Sequence, residues 1–472
     1  MPLIKSISGI RGTIGGEPGD NLTPSDILKF ALAYGLFIKK NFKKINIKIV
    51  IGRDARISGE MISDIVVGAL SGLGIDVIDL GLAATPTVEM AVLSLKAQGG
   101  IIITASHNPQ GWNALKLLDY QGEFLSARDG KKILELAEKN NYTAVKESDL
   151  GVYCLDPYFA SEHIKRVLNL KLVHKDLIMQ HNFKVVVDGI NSVGGQIVPE
   201  LLKELGVKDI IEMNCAPTGE FAHEPEPIAQ NLKAICQKVK LLKADLGIVV
   251  DPDVDRLAFI DEKGEMFGEE YTLAAVADYV LGQFSQNQKQ NSKYRLASIS
   301  NLSSSRALKD ITEKYQGKYR AAAVGEVNVV ALMKKTKAII GGEGNGGVIY
   351  PGLHYGRDAL VGIALFLSYF AQKNIKMSAL RKELPAYFML KERIELKKKV
   401  NVNVLFNKIK GAYKKDKITD IDGIKIDWPD SWVHLRASNT EPILRLYGEG
   451  ETEPLAAARI KEIKMKISAY IK

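Results

Sequence analysis

The sequence has little cysteine, few histidines and no long apolar run. Its 472 residues include three cysteines, Cys154, Cys215 and Cys236, too few and too scattered for a disulfide framework or a zinc site. Of its seven histidines none forms a ligand-spaced pair, and His163, His174 and His181 read as surface or partly buried structural residues. No segment reaches the ~18 consecutive apolar residues of a membrane span, and the start, MPLIKSISGIRG, lacks the apolar stretch of a secretory signal. A reducing cytoplasm is the expected setting, with no membrane partner. Hydrophobic residues make up 46% and charged residues 25%, an ordinary globular balance that excludes disorder, collagen and coiled coil as the main character.

What the chain does have is a surplus of positive charge, 64 Lys and Arg against 55 Asp and Glu, for a net +9. Much of the surplus sits in runs such as Lys397–Lys399, Lys414–Lys417 and Lys461–Lys466, which read as solvated surface. Nucleic-acid readers show a recognisable module or a concentrated basic stripe, and neither is found here. A modest positive bias also suits a small anionic substrate, so no nucleic-acid partner is expected. The sequence leaves monomer or homodimer open.

A single core rarely grows past about 250–300 residues, so several domains are expected. Strand and helix patterns alternate over the first 370 residues and restart twice. INIKIVIG (45–52) alternates like a strand, 58–74 has helical spacing, and GGIIITAS (99–106) is a short, wholly apolar strand, which fits a sheet covered on both faces. KVVVDG (184–189) begins a second set and RLASIS (295–300) belongs to a third. After about residue 375 the texture turns to hairpin strands with helices. The expected fold is three similar α/β domains with mixed sheets flanked by helices, plus a C-terminal α+β domain, around a central cleft. The expected boundaries are 1–150, 151–258, 259–375 and 376–472. One polar loop per domain lies where ligands bind in open α/β sheets, outside the carboxyl ends of strands.

Asp251-Pro-Asp-Val-Asp-Arg256 places carboxylates at i, i+2 and i+4. On an extended strand the outer two would stand roughly 13 Å apart, and on a helix the middle one would point away. A turn, which Pro252 favours, brings all three together. Oxygen-only donors suit Mg²⁺, bound at about 2.0–2.1 Å. With Glu262 at the twelfth position the run imitates an EF-hand, but Arg256 stands where glycine is required and strand-like segments flank it. The plain alternative is a charged surface turn.

Thr104-Ala-Ser-His-Asn-Pro109 follows an apolar strand and places Ser106 at its end, exposed for reaction, without the G-x-S-x-G spacing of a nucleophile elbow. His107 is a candidate base, although adjacent side chains rarely face each other. An ordinary turn stopped by Asn-Pro is the alternative. Ser106 makes better sense beside the metal, where a phosphate oxygen on the serine completes a three-Asp site within reach of Lys116. In Gly341-Gly-Glu-Gly-Asn-Gly-Gly347, the glycines let backbone approach a ligand, and Glu343 and Asn345 can hydrogen-bond hydroxyls; a turn fits equally. Arg436-Ala-Ser-Asn-Thr-Glu-Pro-Ile-Leu-Arg445 joins two guanidiniums to Ser438, Asn439 and Thr440, a set suited to phosphate; a cap or turn cluster is the alternative. Ser8–Gly12 and Gly52–Ser58 add Arg11, Arg53 and Arg56, with Asp54 expected to pair with one of these arginines. DGINSVGG (188–195) lacks dinucleotide spacing and reads as a tight strand-to-helix turn.

TASHNP, DPDVDR, GGEGNGG and RASNTEP, in that order and at that separation, resemble the α-D-phosphohexomutases, and the resemblance spans essentially the whole chain, including SGIRG. It implies four domains around a cleft, a catalytic phosphoserine at Ser106, and one Mg²⁺ held by Ser106, Asp251, Asp253 and Asp255. It further implies Arg11, Arg256 and Lys116 as active-site cations, with Lys116 a candidate general acid/base and His107 beside the reaction centre. Glu343 and Asn345 would recognise the sugar, and Arg436, Ser438, Asn439, Thr440 and Arg445 the non-reacting phosphate. The implied reaction interconverts hexose 6- and 1-phosphates through a hexose 1,6-bisphosphate, with a mobile C-terminal domain. Gln110-Gly-Trp-Asn-Ala-Leu-Lys116, Gly347 and VGEVNVV (324–330) look most like the archaeal-type phosphoglucosamine mutases; phosphoglucomutase/phosphomannomutase is the second choice. Two other classes compete: a metal-dependent sugar phosphatase, which needs no sugar loop or second phosphate cradle, and a binding protein driven by basic charge.

Overall fold

The computed structural model describes residues 3–6, 9–42, 46–286, 293–396, 400–437 and 443–471. The chain divides into two compact units, one of Met1–Thr272 with Asn345–Leu380, the other of Leu273–Gly344 with Arg381–Lys472. No helix among the described residues is long and apolar enough to cross a membrane.

The first unit begins with a seven-stranded mixed sheet. Its strands are β1 (Ile4–Ser6), β2 (Gly9–Thr13), β3 (Lys48–Arg53), β4 (Asp76–Leu82), β5 (Gly99–Ile103), β6 (Trp112–Leu118) and β7 (Tyr153–Leu155), in the order β1-β2-β6-β5-β3-β4-β7. The apolar β5 is buried throughout, as expected for a strand with helices on both faces. Beside it β6 runs antiparallel and is also wholly buried, so it lacks the alternation that would have marked it in the sequence. Helix Pro24–Asn41 opens with Thr23 and Asp26 in a reciprocal capping box and Pro24 at its first turn. A second sheet follows, from β8 (Lys184–Asp188), β9 (Asp209–Met213), β10 (Leu246–Val250) and β11 (Leu257–Ile260), in the order β11-β10-β8-β9.

In the second unit, β12 (Arg295–Asn301) lies between β13 (Lys318–Ala322) and β14 (Ala338–Glu343), all parallel. The short β15 (Gly347–Ile349) and the buried helix Ala359–Lys373 belong to the first unit. The chain ends with an antiparallel sheet of β16 (Phe388–Glu395), β17 (Lys417–Thr419), β18 (Ile424–Asp427), β19 (Ser431–Ala437) and β20 (Ile443–Gly450), in the order β16-β20-β19-β18-β17. Leu444, Leu446, Val433 and Leu435 pack there against Ile460 and Ile463 of the last helix, Glu453–Ile471. The four-domain α/β architecture with mixed sheets is as the motifs implied. Lys414, Lys415, Lys417, Lys461 and Lys464 are exposed. Lys397–Lys399 and residues 287–292 lie outside the described residues.

Candidate active site

Strands β3 and β5 are parallel neighbours with Arg53 opposite Ile103, so the residues just past their ends meet. Thr104 Oγ1 donates to Asp54 Oδ2 at 2.6 Å. The chain then returns through residues 104–111 into antiparallel β6, a hairpin rather than a strand-to-helix elbow. In this loop Ser106 has a φ of 49°, a left-handed conformation uncommon outside glycine. The sequence led us to expect an exposed serine; instead only 7% of Ser106 is accessible, because the acidic loop packs against it. Its Oγ donates to Asp251 Oδ2 at 2.7 Å. Asp54 pairs with Arg56 at 3.1 Å. Arg56, grouped in the sequence with anion-binding arginines, is buried and spends its guanidinium on backbone carbonyls of the serine loop.

The acidic loop Asp251–Arg256 joins β10 to β11, which pair antiparallel with Val250 opposite Leu257. The hairpin curls so that Asp251 Oδ1 accepts from the N–H groups of Asp255 and Arg256, both at 3.1 Å. One carboxylate oxygen from each of Asp251, Asp253 and Asp255 lies within 4.8 Å of the others, and all three side chains are completely buried. Burial, with Asp253 and Asp255 adding to it, pushes the Asp251 carboxyl well above the usual range. Asp253 Oδ1 and Asp255 Oδ1 are buried and have no hydrogen-bond donor among the described residues. Three oxygen-only ligands, two of them with orphaned buried atoms, fit a hard divalent cation such as Mg²⁺.

The remaining oxygens meet cations. Lys116 Nζ donates to Asp253 Oδ2 at 2.6 Å and lies 3.8 Å from Asp255. Burial works against its charge, but Asp253 and Asp255 outweigh it and raise the lysine's pKa. Thr85 Oγ1 also donates to Asp253 Oδ2, at 2.7 Å. Arg256 Nε sits 4.0 Å from Asp251 and 3.9 Å from Asp255. Arg11 follows from sheet register: it lies opposite Ala114, two residues from Lys116 on the adjacent strand, and its Nη1 reaches Asn108 Oδ1 at 3.5 Å. Burial, then Arg256, Arg11 and Arg357, hold the His107 imidazole well below its ordinary pKa, so it is neutral and weakly basic.

Arg357 was missed in the sequence. Its Nη2 donates to Asp255 Oδ2 at 2.6 Å. The next residue, Asp358, caps helix Ala359–Lys373 by accepting from the Leu360 and Val361 N–H groups. Asp358 Oδ2 also meets His163 Nε2 at 3.0 Å and His354 Nε2 at 3.2 Å. Thus His163, expected at or near the surface, is fully buried. Gly356 has no room for a side chain, since a Cβ there would lie 1.8 Å from Glu89 Oε2. A glycine, a capping aspartate and two histidines therefore fix the segment that presents Arg357.

The other predicted residues are distributed differently. Asn345 falls in the first unit, where its Oδ1 accepts from Gly347 N at 3.3 Å. Glu343 ends β14 in the second unit, and its Oε1 accepts from Asn301 Nδ2 at 2.8 Å and Gly325 N at 3.1 Å. The N–H of the neighbouring Val324 donates to Asp422 Oδ2 at 3.0 Å, and Arg436 Nε lies 3.5 Å from the same oxygen. Arg436 stands opposite Arg445 across β19 and β20, and Arg445 opposite Arg393 across β20 and β16. This row of three guanidiniums is a second arrangement the motifs did not reveal, although Arg393 opens the strand-like RIELKKKV. Like charges directly opposite one another repel, so the row is suited to an anion. Ser438, Asn439 and Thr440 lie outside the described residues.

Comparison with known proteins places the whole chain among relatives. Four family domains match in order: phosphoglucomutase/phosphomannomutase alpha/beta/alpha domains I, II and III over residues 3–144, 161–264 and 269–388, and the C-terminal domain over 390–466. A phosphoglucomutase/phosphomannomutase of Thermococcus kodakarensis is 36% identical, over 94% of this chain and 95% of its own. A phosphoglucosamine/phosphogalactosamine mutase of Sulfurisphaera tokodaii is 33% identical, over 97% of both. The crystal structure of a phosphoglucomutase/phosphomannomutase family protein from Burkholderia thailandensis superposes with a TM-score of 0.83 at 25% identity, covering 98% of this chain and 97% of that one. The chain therefore belongs to the phosphoglucomutase/phosphomannomutase family of phosphohexomutases.

Proposed function

We propose that this enzyme interconverts glucosamine 6-phosphate and glucosamine 1-phosphate, with Ser106 as the carrier of the phosphoryl group. The observation that carries the reading is the Ser106 hydroxyl held 2.7 Å from Asp251 beside three converging carboxylates. Phosphorylated Ser106 gives its group to the free hydroxyl of a bound hexose monophosphate. The Oγ–P bond breaks as the bond to the sugar oxygen forms, and the proton released by the sugar hydroxyl is balanced by one returned to the Ser106 oxygen, which ends as a hydroxyl. The resulting 1,6-bisphosphate turns round and returns its other phosphoryl group to Ser106.

Such a transfer needs positioning and charge stabilisation more than covalent help. Mg²⁺ bound by Asp251, Asp253, Asp255 and an oxygen on Ser106 supplies electrostatic stabilisation of the phosphoryl charge. Lys116, Arg256 and Arg11 add fixed positive charge around the serine. Lys116 sits in the buried wall of the site as an ammonium, so the proton it can offer is to a departing sugar oxygen. Glu343 and Asn345 are assigned to the sugar, and Arg436, Arg445 and the 438–440 loop to the phosphate that does not react. A reducing cytoplasm suits the three free cysteines and a phosphosugar metabolite.

The amino-sugar preference is supported by the Gln110–Lys116 stretch of the serine loop, by Gly347, and by the Sulfurisphaera relative's name. A second reading, phosphoglucomutase/phosphomannomutase, is favoured by the Thermococcus relative at 36% identity. The test is a coupled assay of kcat/KM for the 6-phosphates of glucosamine, glucose and mannose. Glucosamine 6-phosphate should lead; a rate far below the other two assigns the enzyme to the second reading.

A further inference from the structure

Four polar links close a ring around the backbone of Ser106. Its N–H donates to Thr104 Oγ1 at 2.9 Å, and that hydroxyl donates to Asp54 Oδ2 at 2.6 Å. Arg56 Nε donates to the same oxygen at 3.1 Å, and Arg56 Nη2 returns to the Ser106 carbonyl at 2.6 Å. The same guanidinium reaches four more carbonyls of the loop: Asn108 at 2.6 Å, Pro109 and Trp112 at 2.8 Å, and Gln110 at 3.3 Å. A planar fork with five N–H donors suits such a set, and a point charge does not.

The ring is also tied to the acidic loop. Ala55 N donates to Ser192 Oγ at 3.2 Å, and Ser192 Oγ donates to the Pro252 carbonyl at 2.7 Å. Ser192 belongs to the glycine-rich turn 188–195, which thereby gains a role. Asp54, Arg56 and Ser192 are each at most 1% accessible, so none is available to bind a substrate. Left-handed backbone at a serine is strained and persists only where surroundings over-determine it. Here both backbone polar groups of Ser106 are held, leaving Oγ as the one atom aimed at Asp251.

We propose that Arg56 and Thr104 are positioning residues that hold Ser106 in its left-handed conformation and thereby set the line of phosphoryl transfer. This rests on Ser106 being the phosphoryl carrier. Transfer is sensitive to placement, a misplacement of about 1 Å costing on the order of 100-fold in rate.

The test compares Arg56→Lys and Thr104→Val with Ser106→Ala. Each folded variant is charged with glucose 1,6-bisphosphate, its phosphoserine quantified by intact mass, and kcat expressed per charged site. Arg56→Lys should lose about 100-fold in kcat and Thr104→Val about 10-fold, with KM for the hexose phosphate within about twofold of wild type. The ³¹P resonance of the phosphoserine should shift in both. Thr104→Val keeps the test open if Arg56→Lys does not fold. A wild-type kcat per charged site, or a raised KM with kcat unchanged, overturns the positioning role. Retained mutase activity in Ser106→Ala would instead overturn the reading of Ser106 itself.

Discussion

Lys116 and Asp253 form a buried ion pair, Nζ to Oδ2, at 2.6 Å, and the aspartate's second oxygen has no donor among the described residues. One carboxylate thus serves two cations, a protein ammonium and a candidate metal. Replacing Lys116 by Met removes the ammonium and leaves the carboxylate buried. We expect kcat to fall by at least about 100-fold, as for loss of a single preorganised charge in a dry site. Steady-state assays at saturating Mg²⁺ check this; a loss confined to KM would remove Lys116 from the chemistry.

Three buried carboxylates facing one another make the apo fold vulnerable, so Mg²⁺ should stabilise it. At a concentration 100 times Kd, the gain is about 2.7 kcal/mol. Thermal unfolding with EDTA and with increasing Mg²⁺ measures it without reference to activity. Asp253→Asn should shrink the Mg²⁺-dependent rise in Tm and shift the metal titration of activity. An undiminished rise would exclude Asp253 from the site.

Arg393 completes the row with Arg445 and Arg436 but is exposed. A guanidinium gripping the non-reacting phosphate contributes equally before and during transfer. Arg393→Gln should therefore raise KM about tenfold and leave kcat within about twofold. An unchanged KM would make the row a two-arginine site.

His434 gives a pH dependence that lies outside the chemistry. Burial lowers its pKa to about 4, against about 6.5 in an unfolded chain. Between those values the unfolded chain takes up a proton that the native chain refuses. Stability is full above about pH 6.5 and falls as pH drops toward 4, by about 3 kcal/mol from this group. In the fold, His434 Nδ1 meets Ser303 Oγ at 2.8 Å and Nε2 meets the Asp422 carbonyl at 2.7 Å. Denaturant melts of wild type and His434→Gln across pH 7.5 to 4 should converge as pH falls. Parallel curves would rule the histidine out.

Local pattern reveals only what local chain geometry decides. The aspartate triad was legible because three carboxylates in six residues can converge only in a turn, and the apolar Gly247–Val250 beside it marked a buried strand. Arg357 was not, because it meets Asp255 across 102 residues of sequence through folding alone. Arg393 was half legible: alternation with Ile394 turns it away from the core, but only strand register sets it opposite Arg445. Strand Trp112–Leu118, buried on both faces, carries no alternation to read. Asp54 pairs with Arg56, one of the arginines expected for it, but nothing in the loop sequence shows that the rest of this guanidinium is spent on carbonyls. Ser106 was expected in the open because the covering loop comes from another domain.

Glu343 and Arg436 hang from consecutive peptide groups, Glu343 on the N–H of Gly325 and Arg436 through Asp422 on that of Val324. One peptide plane and one carboxylate separate the group assigned to the sugar from the one assigned to its far phosphate. On the assignments proposed above, the pair would act as a caliper, gauging a substrate by the span from ring to phosphate that a 6-phosphate and a 1-phosphate must each satisfy in turn. Loosening one screw, as Asp422→Asn would, should blur that gauge for every hexose alike rather than exchange one sugar for another.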